Sequence, residues 1–346
     1  MSSLRMKEAV MTQVQVRMAD FYQRLATVGL PKAFVRKQGL PDWWCDDYEE
    51  SEGAIVTAAA HVSKRLNLDL KSLLNEQELP RFVLTSQPKY KTQSGTDPQQ
   101  LPVSSAIAAK VAQIVASACN RPYQPIEHFS VAEIREEILK ARQYVDLEGF
   151  LDFCWSHGIP VIHYSRFPEG VKKFQGMVAC FYQRPVIVLS LNASSPSRLL
   201  FIAAHELGHI LKGHLNLMSE GVLVDEAVEL ESKDDEEIEA NEVAAELLLG
   251  RPDQFYGQLR NYTAPQLAEY ARRVGLNDRV SPGVVALNYG WYKHHWGSAN
   301  GALKILEPSA DAPQLINHYL LQHLDWDELG NDYQEYLELV LGLELV

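Results

Sequence analysis

Cysteine is scarce in this sequence, and long hydrophobic runs and a surplus of positive charge are absent. Its four cysteines, Cys45, Cys119, Cys154 and Cys180, lie far apart and form no C-x-x-C pair, which argues against a disulfide frame or a cysteine zinc site. No apolar run approaches the roughly 20 residues that span a bilayer. The formal net charge of −13 argues against a protein that coats nucleic acid through bulk charge.

A secretory leader is also missing, since no basic and apolar segment with small residues opens the chain. Together with the unpaired cysteines, this predicts a cytoplasmic protein that does not associate with a membrane. The chain has 346 residues and 46% hydrophobic residues, as ordinary globular proteins do. It is long enough for two or three domains and at least one sizeable core.

The hydrophobic pattern predicts an α+β protein with helical regions at both ends. Apolar residues recur at helical spacing early in the chain, and from about residue 130 helices and short apolar runs alternate. From Leu324 onwards the sequence predicts an acidic amphipathic helix that packs one face on the body. The predicted segments are a helical N-terminal domain (1–85), a linker and helix (86–129), a metallopeptidase-like core (130–255) and a C-terminal helical region (256–346).

Inside the predicted core, Ser130-Val-Ala-Glu133 has the form of a capping box that opens a helix. Two apolar runs, 176–182 and 186–191, are separated by Gln183-Arg184-Pro185, which predicts a hairpin with a small antiparallel or mixed sheet. One strand of this hairpin could present an edge on which an extended substrate pairs. Helices are predicted over 198–214 and 236–249.

Residues 205–209 read His-Glu-Leu-Gly-His, an H-E-x-x-H motif on the first of those helices. Helical residues four apart lie on one face, so His205 and His209 can bind one Zn²⁺ ion. Glu206 is then placed as the general base that takes a proton from the attacking water. The motif therefore predicts the zinc centre of a metalloendopeptidase.

A catalytic zinc commonly uses three protein ligands and keeps its fourth position open. Five glutamates on the second helix compete for the third place: Glu236, Glu237, Glu239, Glu242 and Glu246. Most of an acidic run faces solvent. Glu239 borders the apolar face of this helix, formed by positions 240, 244, 247 and 248, which slightly favours it as the third ligand. Glu236 and Glu242 are the next candidates.

His214 lies five residues beyond His209, which does not fit the longer metzincin motif. That motif would require Gly at position 212 and His at position 215, where this chain has Lys212 and Leu215. We therefore expect a gluzincin-type centre, in which the third ligand is a glutamate on a following helix. His214 is expected near the last carbonyls of its own helix.

Two motifs together resemble the ImmA/IrrE family of metallopeptidases. These are residues 205–209 and the later helix Glu237-Ile-Glu-Ala-Asn-Glu-Val-Ala-Ala-Glu-Leu-Leu248. The family pairs an H-E-x-x-H helix with one of the form E-x-E-A-N-x-F-A-x-x-L-L, usually closed by a proline. This chain departs at Val243, where an aromatic is usual, and at Gly250, with Pro252 two residues late. The resemblance covers about residues 130–300.

The resemblance implies a minimal zincin-like core that binds zinc through His205, His209 and Glu239, with Glu206 as catalytic base. It also implies a cytosolic regulatory peptidase that cuts a transcriptional repressor, an antitoxin-type regulator or a similar protein partner. The resemblance further implies that such cleavage is triggered by stress, phage or mobile-element signals.

Oxyanion stabilisation has several candidates, because gluzincins offer a Tyr, His or Arg opposite the water. They are Tyr182, Tyr292, His294 and His295, and packing or surface roles are equally open for them.

The N-terminal segment supports two interpretations. Residues 57–74 have a rhythm like the helix-turn-helix repressors often fused to this family, which would allow DNA contact, whereas the acidic run 46–52 argues against it. A protein-interaction or structural module is the other interpretation. Residues 1–40 carry a local surplus of five positive charges, from Arg5, Lys7, Arg17, Arg24, Lys32, Arg36 and Lys37 against Glu8 and Asp20.

The favoured function is zinc-dependent proteolysis of a protein partner. One alternative is a transcriptional regulator or antitoxin that binds DNA or protein and whose zinc fold is not proteolytic. Another is a zinc enzyme with a non-peptide substrate.

Overall fold

The computed structural model describes residues 17–83, 89–91, 102–215, 221–226, 234–257 and 260–344. The basic residues Arg5 and Lys7 and most of the predicted linker lie outside these ranges. The N-terminal part is helical, as the periodicity predicts. Its elements are α1 (Met18–Thr27), α2 (Lys32–Phe34) with a π-helical continuation (Val35–Gly39), α3 (Asp46–Glu49), α4 (Ala54–Leu66) and α5 (Leu70–Leu74).

The central part alternates helices and short strands. Its elements are β1 (Lys89–Lys91), α6 (Pro102–Ala118), α7 (Val131–Leu139), α8 (Leu147–Ser156), β2 (Val161–His163), β3 (Gly176–Phe181), β4 (Arg184–Leu189), α9 (Pro196–Leu211), β5 (Gly221–Asp225) and α10 (Asp235–Leu249). The C-terminal part is helical again: α11 (Ala264–Asp278), α12 (Pro282–Lys293), α13 (Trp296–Leu306), α14 (Ala312–His318), α15 (Leu320–His323) and α16 (Asn331–Leu341).

The five strands form one mixed sheet in the order β1-β5-β3-β4-β2. β3 is antiparallel to both β4 and β5, whereas β1 and β2 run parallel to their neighbours. A single small sheet flanked by helices confirms the predicted α+β class. Among the described residues, no helix is both long and apolar enough to cross a membrane.

The hairpin of β3 and β4 is confirmed, but its turn lies earlier than predicted. Phe181 pairs with Arg184, so the loop consists of Tyr182 and Gln183, with φ of 55° and 57°. Two positive φ values are typical of a type I′ turn, whose twist suits a hairpin. The predicted edge strand is wrong, because β3 lies between β4 and β5, and β4 lies between β3 and β2.

Local capping explains where the core helices begin. Ser130 Oγ accepts a hydrogen bond from Glu133 N–H at 3.2 Å, and the Glu133 carboxylate accepts one from Ser130 N–H at 2.8 Å. The predicted capping box is therefore confirmed. Ser195 caps α9 in the same way, and Gly250 ends α10 with φ of 82°.

One continuous hydrophobic cluster joins the N-terminal helices, the sheet, α9 and α16. The fully buried guanidinium of Arg65 on α4 donates to Leu40 O at 2.9 Å, Asp332 Oδ1 at 2.9 Å and Glu335 Oε1 at 2.8 Å. The last helix therefore packs on the body, as its amphipathic pattern predicts. The domain boundaries near residues 85, 129 and 255 stay predictions, and the cluster continues across them.

Helices α9 and α10 approach each other closely at Gly208. A Cβ atom at this position would lie 2.9 Å from both the Cα and the carbonyl oxygen of Ala240. Contacts below 3.0 Å with backbone atoms cannot be relieved by a side-chain rotation. The Gly in the His-Glu-Leu-Gly-His motif therefore sets the distance between the two helices that carry the motif residues.

We expect Gly208→Ala to destabilise the protein by roughly 1–3 kcal/mol, because the added methyl overpacks the interface of α9 and α10. Chemical denaturation followed by circular dichroism measures this free energy of unfolding. Gly297→Ala is the matched control, since Gly297 is also helical and its Cβ would meet no atom within 4 Å. Equal stability of the two variants would contradict this account of the interface.

Candidate metal centre

Helix α9 brings the two motif histidines together. His205 and His209 are one turn apart, fully buried, and their Nε2 atoms lie 3.1 Å from each other. Glu206 is also fully buried and lies against the start of β3, where a Cβ at Gly176 would overlap its carboxylate. The three motif residues therefore occupy one buried space between α9 and the sheet.

Two further carboxylates reach the same space, from different elements. Asp225 ends β5, and its Oδ2 lies 3.4 Å from His209 Nε2 and 3.8 Å from His205 Nε2. Glu237 belongs to the first turn of α10, with its carboxylate oxygens 3.4 Å from His205 Nε2 and 3.5 Å from His209 Nε2. One donor atom from each of these four residues lies within 4.8 Å of the others.

Hydrogen bonds at the outer ring nitrogen fix the tautomer of His205. Its Nδ1 lies 3.0 Å from Asn241 Oδ1, and an amide oxygen can only accept. Nδ1 therefore carries the proton, and the lone pair of Nε2 points into the space between the four donors.

His209 is oriented by a short relay. The Glu239 carboxylate lies 2.9 Å from His214 Nε2, and because a carboxylate oxygen accepts, this nitrogen donates. The lone pair of neutral His214 is then at Nδ1. His209 Nδ1 lies 2.8 Å from that atom and donates to it. The lone pair of His209 Nε2 then also points inward. Such outer partners commonly orient the histidine ligands of metal ions.

A cation fits this arrangement better than any group that the chain itself provides. Among the described residues, both oxygens of Glu206, both of Asp225 and Glu237 Oε1 have no hydrogen-bond donor, although all are buried. Burying such charges without partners is strongly unfavourable. The donor separations of 3.1–3.8 Å match the roughly 3.3 Å between two ligands of a tetrahedral ion with bonds of about 2.0–2.1 Å. Imidazole and carboxylate donors suit Zn²⁺.

The electrostatics differ for the two neighbouring carboxyl groups. Burial raises the pKa of Glu206 well above its ordinary value, and the charges of Asp225 and Glu237 add to this effect. Burial would also raise the pKa of Asp225, but the imidazoles of His209 and His205 beside it outweigh this effect and lower that pKa. Asp225 is therefore ionised, while Glu206 is the group that accepts a proton most readily.

The structure does not bring the predicted ligand Glu239 to the two histidines. Residues two apart on a helix point about 200° away from each other, and here it is Glu237 that faces the centre. Glu239 has 51% of its side chain exposed and contacts the centre only through His214. Glu236 extends towards Lys89, and Glu242 borders a neighbouring cavity, so neither of these alternatives joins the four donors.

Sequence reasoning missed Asp225 and ranked Glu237 too low. Glu237 and Asn241 are four apart and continue the buried stripe at Ala244 and Leu248, a spacing visible in the sequence. The signal for Asp225 was weaker, because it only ends a short apolar run between the two motif helices. His214, expected near the helix end, contacts His209 as part of the relay.

A cavity of about 730 Å³ adjoins the centre. Asn241, which holds His205, and Gln175, which precedes β3, both line it. Tyr292 and His294, two of the predicted oxyanion candidates, also line this cavity. His295 does not line it, and Tyr182 is 59% exposed at the hairpin turn.

The comparison with protein families gives a match over residues 154–282, to the M78 peptidase family model described as an IrrE N-terminal-like domain. This segment belongs to the ImmA/IrrE family. It runs from α8 to the start of α12 and therefore contains every donor of the centre. The match confirms the resemblance drawn from the two motifs. A search of the curated proteins finds no match for the chain.

We expect the purified protein to contain about one Zn²⁺ per chain, following from the single IrrE-like centre. His205→Ala combined with His209→Ala should remove the metal and destabilise the fold, because metal binding is linked to folding. Elemental analysis measures the zinc content, and His318→Ala, which removes an exposed histidine of α14, is the control. Unchanged zinc in the double variant would rule out this centre.

The carboxylates should differ in their effect on zinc affinity. Glu237→Ala should weaken zinc binding most, because it removes a donor that faces both histidines. Glu239→Ala should weaken it less, by about 10–100-fold, as expected for a group that orients a ligand. Competition with a chelator measures both, and Glu246→Ala is the control on the same helix. A larger loss in Glu239→Ala than in Glu237→Ala would contradict the geometry.

Proposed function

We propose that this chain is a zinc-dependent endopeptidase that cuts a regulatory protein partner, such as a transcriptional repressor or an antitoxin-type regulator. The observation that supports it most is the convergence of His205, His209, Asp225 and Glu237 on one buried point, with carboxylate oxygens that have no donor. The match to an IrrE-like domain of a metallopeptidase family also supports this proposal.

In this proposal His205, His209 and Glu237 hold the zinc ion, and Asn241 and His214 keep the two imidazoles in the required tautomer. When bound, zinc supplies a Lewis acid that polarises the scissile carbonyl. These three ligands lie on α9 or α10, two helices that pack closely at Gly208. Their rigid contact keeps the three ligands in place during the reaction.

Glu206 acts as general base. It is next to the donors, is not one of them, and both its oxygens are free of hydrogen-bond donors in the described part of the chain. It takes a proton from the attacking water and passes it to the leaving amine nitrogen. Burial raises the pKa of Glu206, and the positive charge of a bound ion would lower it again. A base with a pKa near the working pH is the most effective.

The neighbouring cavity supports a peptide substrate. Its walls include Phe201, Trp291 and Trp296, so it can accept a large apolar side chain close to the centre. Tyr292 and His294 line the same cavity, and we propose one of these two for oxyanion stabilisation. A cavity of this size, lined by the Asn241 that orients His205, favours a peptide over a small non-peptide substrate.

DNA recognition by the N-terminal helices is the second candidate, and the described contacts favour it less. Arg24 donates to the backbone carbonyls of Ser72, Leu73, Asn75 and Glu78. Two further basic side chains, Lys32 and Arg36, pair with carboxylates of the acidic run. These cations therefore already have partners within the chain.

The predicted helix-turn-helix segment forms two helices, α4 and α5, separated at Asn67 with φ of 62°. Its second helix, Leu70–Leu74, spans five residues. A recognition helix lies along the major groove and presents several residues to the bases, which a helix this short does little to provide. We therefore propose that the N-terminal helices serve protein contact.

The four cysteines are free thiols, which supports a reducing compartment such as the cytoplasm.

Glu206→Gln should retain zinc and the fold but lose proteolysis, because glutamine cannot take the proton of the attacking water. Loss of a general base typically lowers the rate by about 10²–10⁴-fold. Cleavage of the product of the neighbouring gene, the first protein to test as substrate, can be followed on gels. The measurement includes zinc content and circular dichroism.

Glu269→Gln removes an exposed carboxylate from α11 of the same domain and should cleave like wild type. If Glu206→Gln behaves like wild type in cleavage and in relief of repression, proteolysis is not the function. The chain would then be a zinc-folded regulatory binding protein.

A further inference from the structure

The metal centre has one donor more than a catalytic zinc commonly uses. Four protein donors in a tetrahedral arrangement are typical of closed structural sites, whereas catalytic sites keep one position open. Here the donors are fully or almost fully buried, with His205, His209 and Asp225 at 0% exposure and Glu237 at 5%. A substrate carbonyl cannot reach the ion in this arrangement unless one donor leaves.

Asp225 is the donor best placed to leave. It lies opposite Gly176 in the sheet, and a Cβ at Gly176 would overlap the Glu206 carboxylate, so Asp225 is on the side of the centre that holds the general base. Glu237 faces the histidines with both oxygens and belongs to the helix that packs against α9. Asp225 contacts them with Oδ2 alone and ends a strand of five residues.

Only the end of β5 has to open to remove Asp225. Its register partner on β3, Gly176, is itself the first residue of that strand. Gln175 N donates to Asp225 O at 2.9 Å, and Lys172 Nζ lies 2.6 Å from Glu226 Oε1. Strand ends open locally without unfolding the rest of a domain.

Opening would also free a substrate-binding group. Gln175 lines the neighbouring cavity, and its N–H, released from Asp225 O, could donate to the backbone of an extended peptide. The end of β5 thus occupies, in antiparallel pairing with the start of β3, the place that a substrate backbone would take. This also explains why the hairpin has no free edge in the described sheet.

We infer that Asp225 is a displaceable fourth donor, and that the end of β5 closes the centre until a peptide substrate or an activating partner displaces it. This inference rests on the proposed peptidase function. It assigns Asp225 a role in controlling access, which differs from the permanent ligand role of Glu237.

The first test measures zinc release into an excess of a chromogenic chelator. Asp225→Ala should release zinc at least about tenfold faster than wild type, since even outer partners of ligands contribute about 10–100-fold in affinity. It should also cleave the partner faster, because the fourth position is already open. Asp235→Ala, which removes an exposed carboxylate at the start of α10, should match wild type in both measurements. Asp225→Asn, which keeps the shape of the side chain, replaces Asp225→Ala if the alanine variant does not fold.

The second test locks the strand end with a disulfide. Met177 and Val224 are antiparallel register partners next to Asp225, and they alternate with Gly176 and Asp225, so their side chains point away from the centre. Met177→Cys combined with Val224→Cys should, when oxidised, release zinc more slowly and lose cleavage. Reduction should restore both to the level of wild type. The single variants, treated with the same oxidant and reductant, control for the native cysteines.

The outcomes separate the inference from the proposed function. Wild-type zinc release in Asp225→Ala, or cleavage as low as in Glu237→Ala, would overturn the displaceable donor. So would an oxidised double-cysteine variant that cleaves as well as its reduced form. If no variant or wild type cleaves any partner, the peptidase proposal fails. The zinc-release rates of Asp225→Ala and of the locked strand then still decide whether Asp225 is a donor that can leave.

Discussion

The mutual repulsion of three buried carboxylates and two inward lone pairs is the constraint on which the rest of this structure depends. Glu206, Asp225 and Glu237 meet His205 and His209 in a space that is almost completely buried. In a low-dielectric interior, such a cluster is tolerated only with protons or a cation among its members. A bound ion would join α9, β5 and α10, so its binding energy would also contribute to folding.

Sequence patterns predicted the framework well because its signals are local. The capping box at Ser130, the hairpin of β3 and β4 and the two motif helices all depend on neighbouring residues. The pair of histidines follows from the helical repeat alone. Each of these features is set by interactions within a few residues, which a single sequence shows.

Hydrophobicity alone does not predict which side of the first turn of α10 faces the core, because here a carboxylate is buried and an apolar side chain is exposed. Glu237 is buried at 5% exposure, whereas the next residue, Ile238, is 38% exposed and lines the neighbouring cavity. The Glu237 carboxylate is buried because it faces the metal centre, whose histidines belong to the other helix, α9. The position of Asp225 depends similarly on the pairing of β5 with β3, in which it lies opposite Gly176, a residue 49 positions earlier in the chain. Long-range pairing leaves little trace in a five-residue strand.

A centre whose buried charges are best paired when all four donors are in place is poorly suited to continuous catalysis. This conflict favours a peptidase whose activity is regulated. Four donors leave fewer unpaired charges than three, so the closed state is favoured when no substrate is present. Opening the end of β5 gives up the Asp225 donor and the Gln175 hydrogen bond, which a paired peptide backbone can replace. Binding energy from a long, specific partner would then offset the opening, whereas a short peptide would not provide enough. A peptidase built in this way discriminates between substrates at the opening step, before any bond is cut.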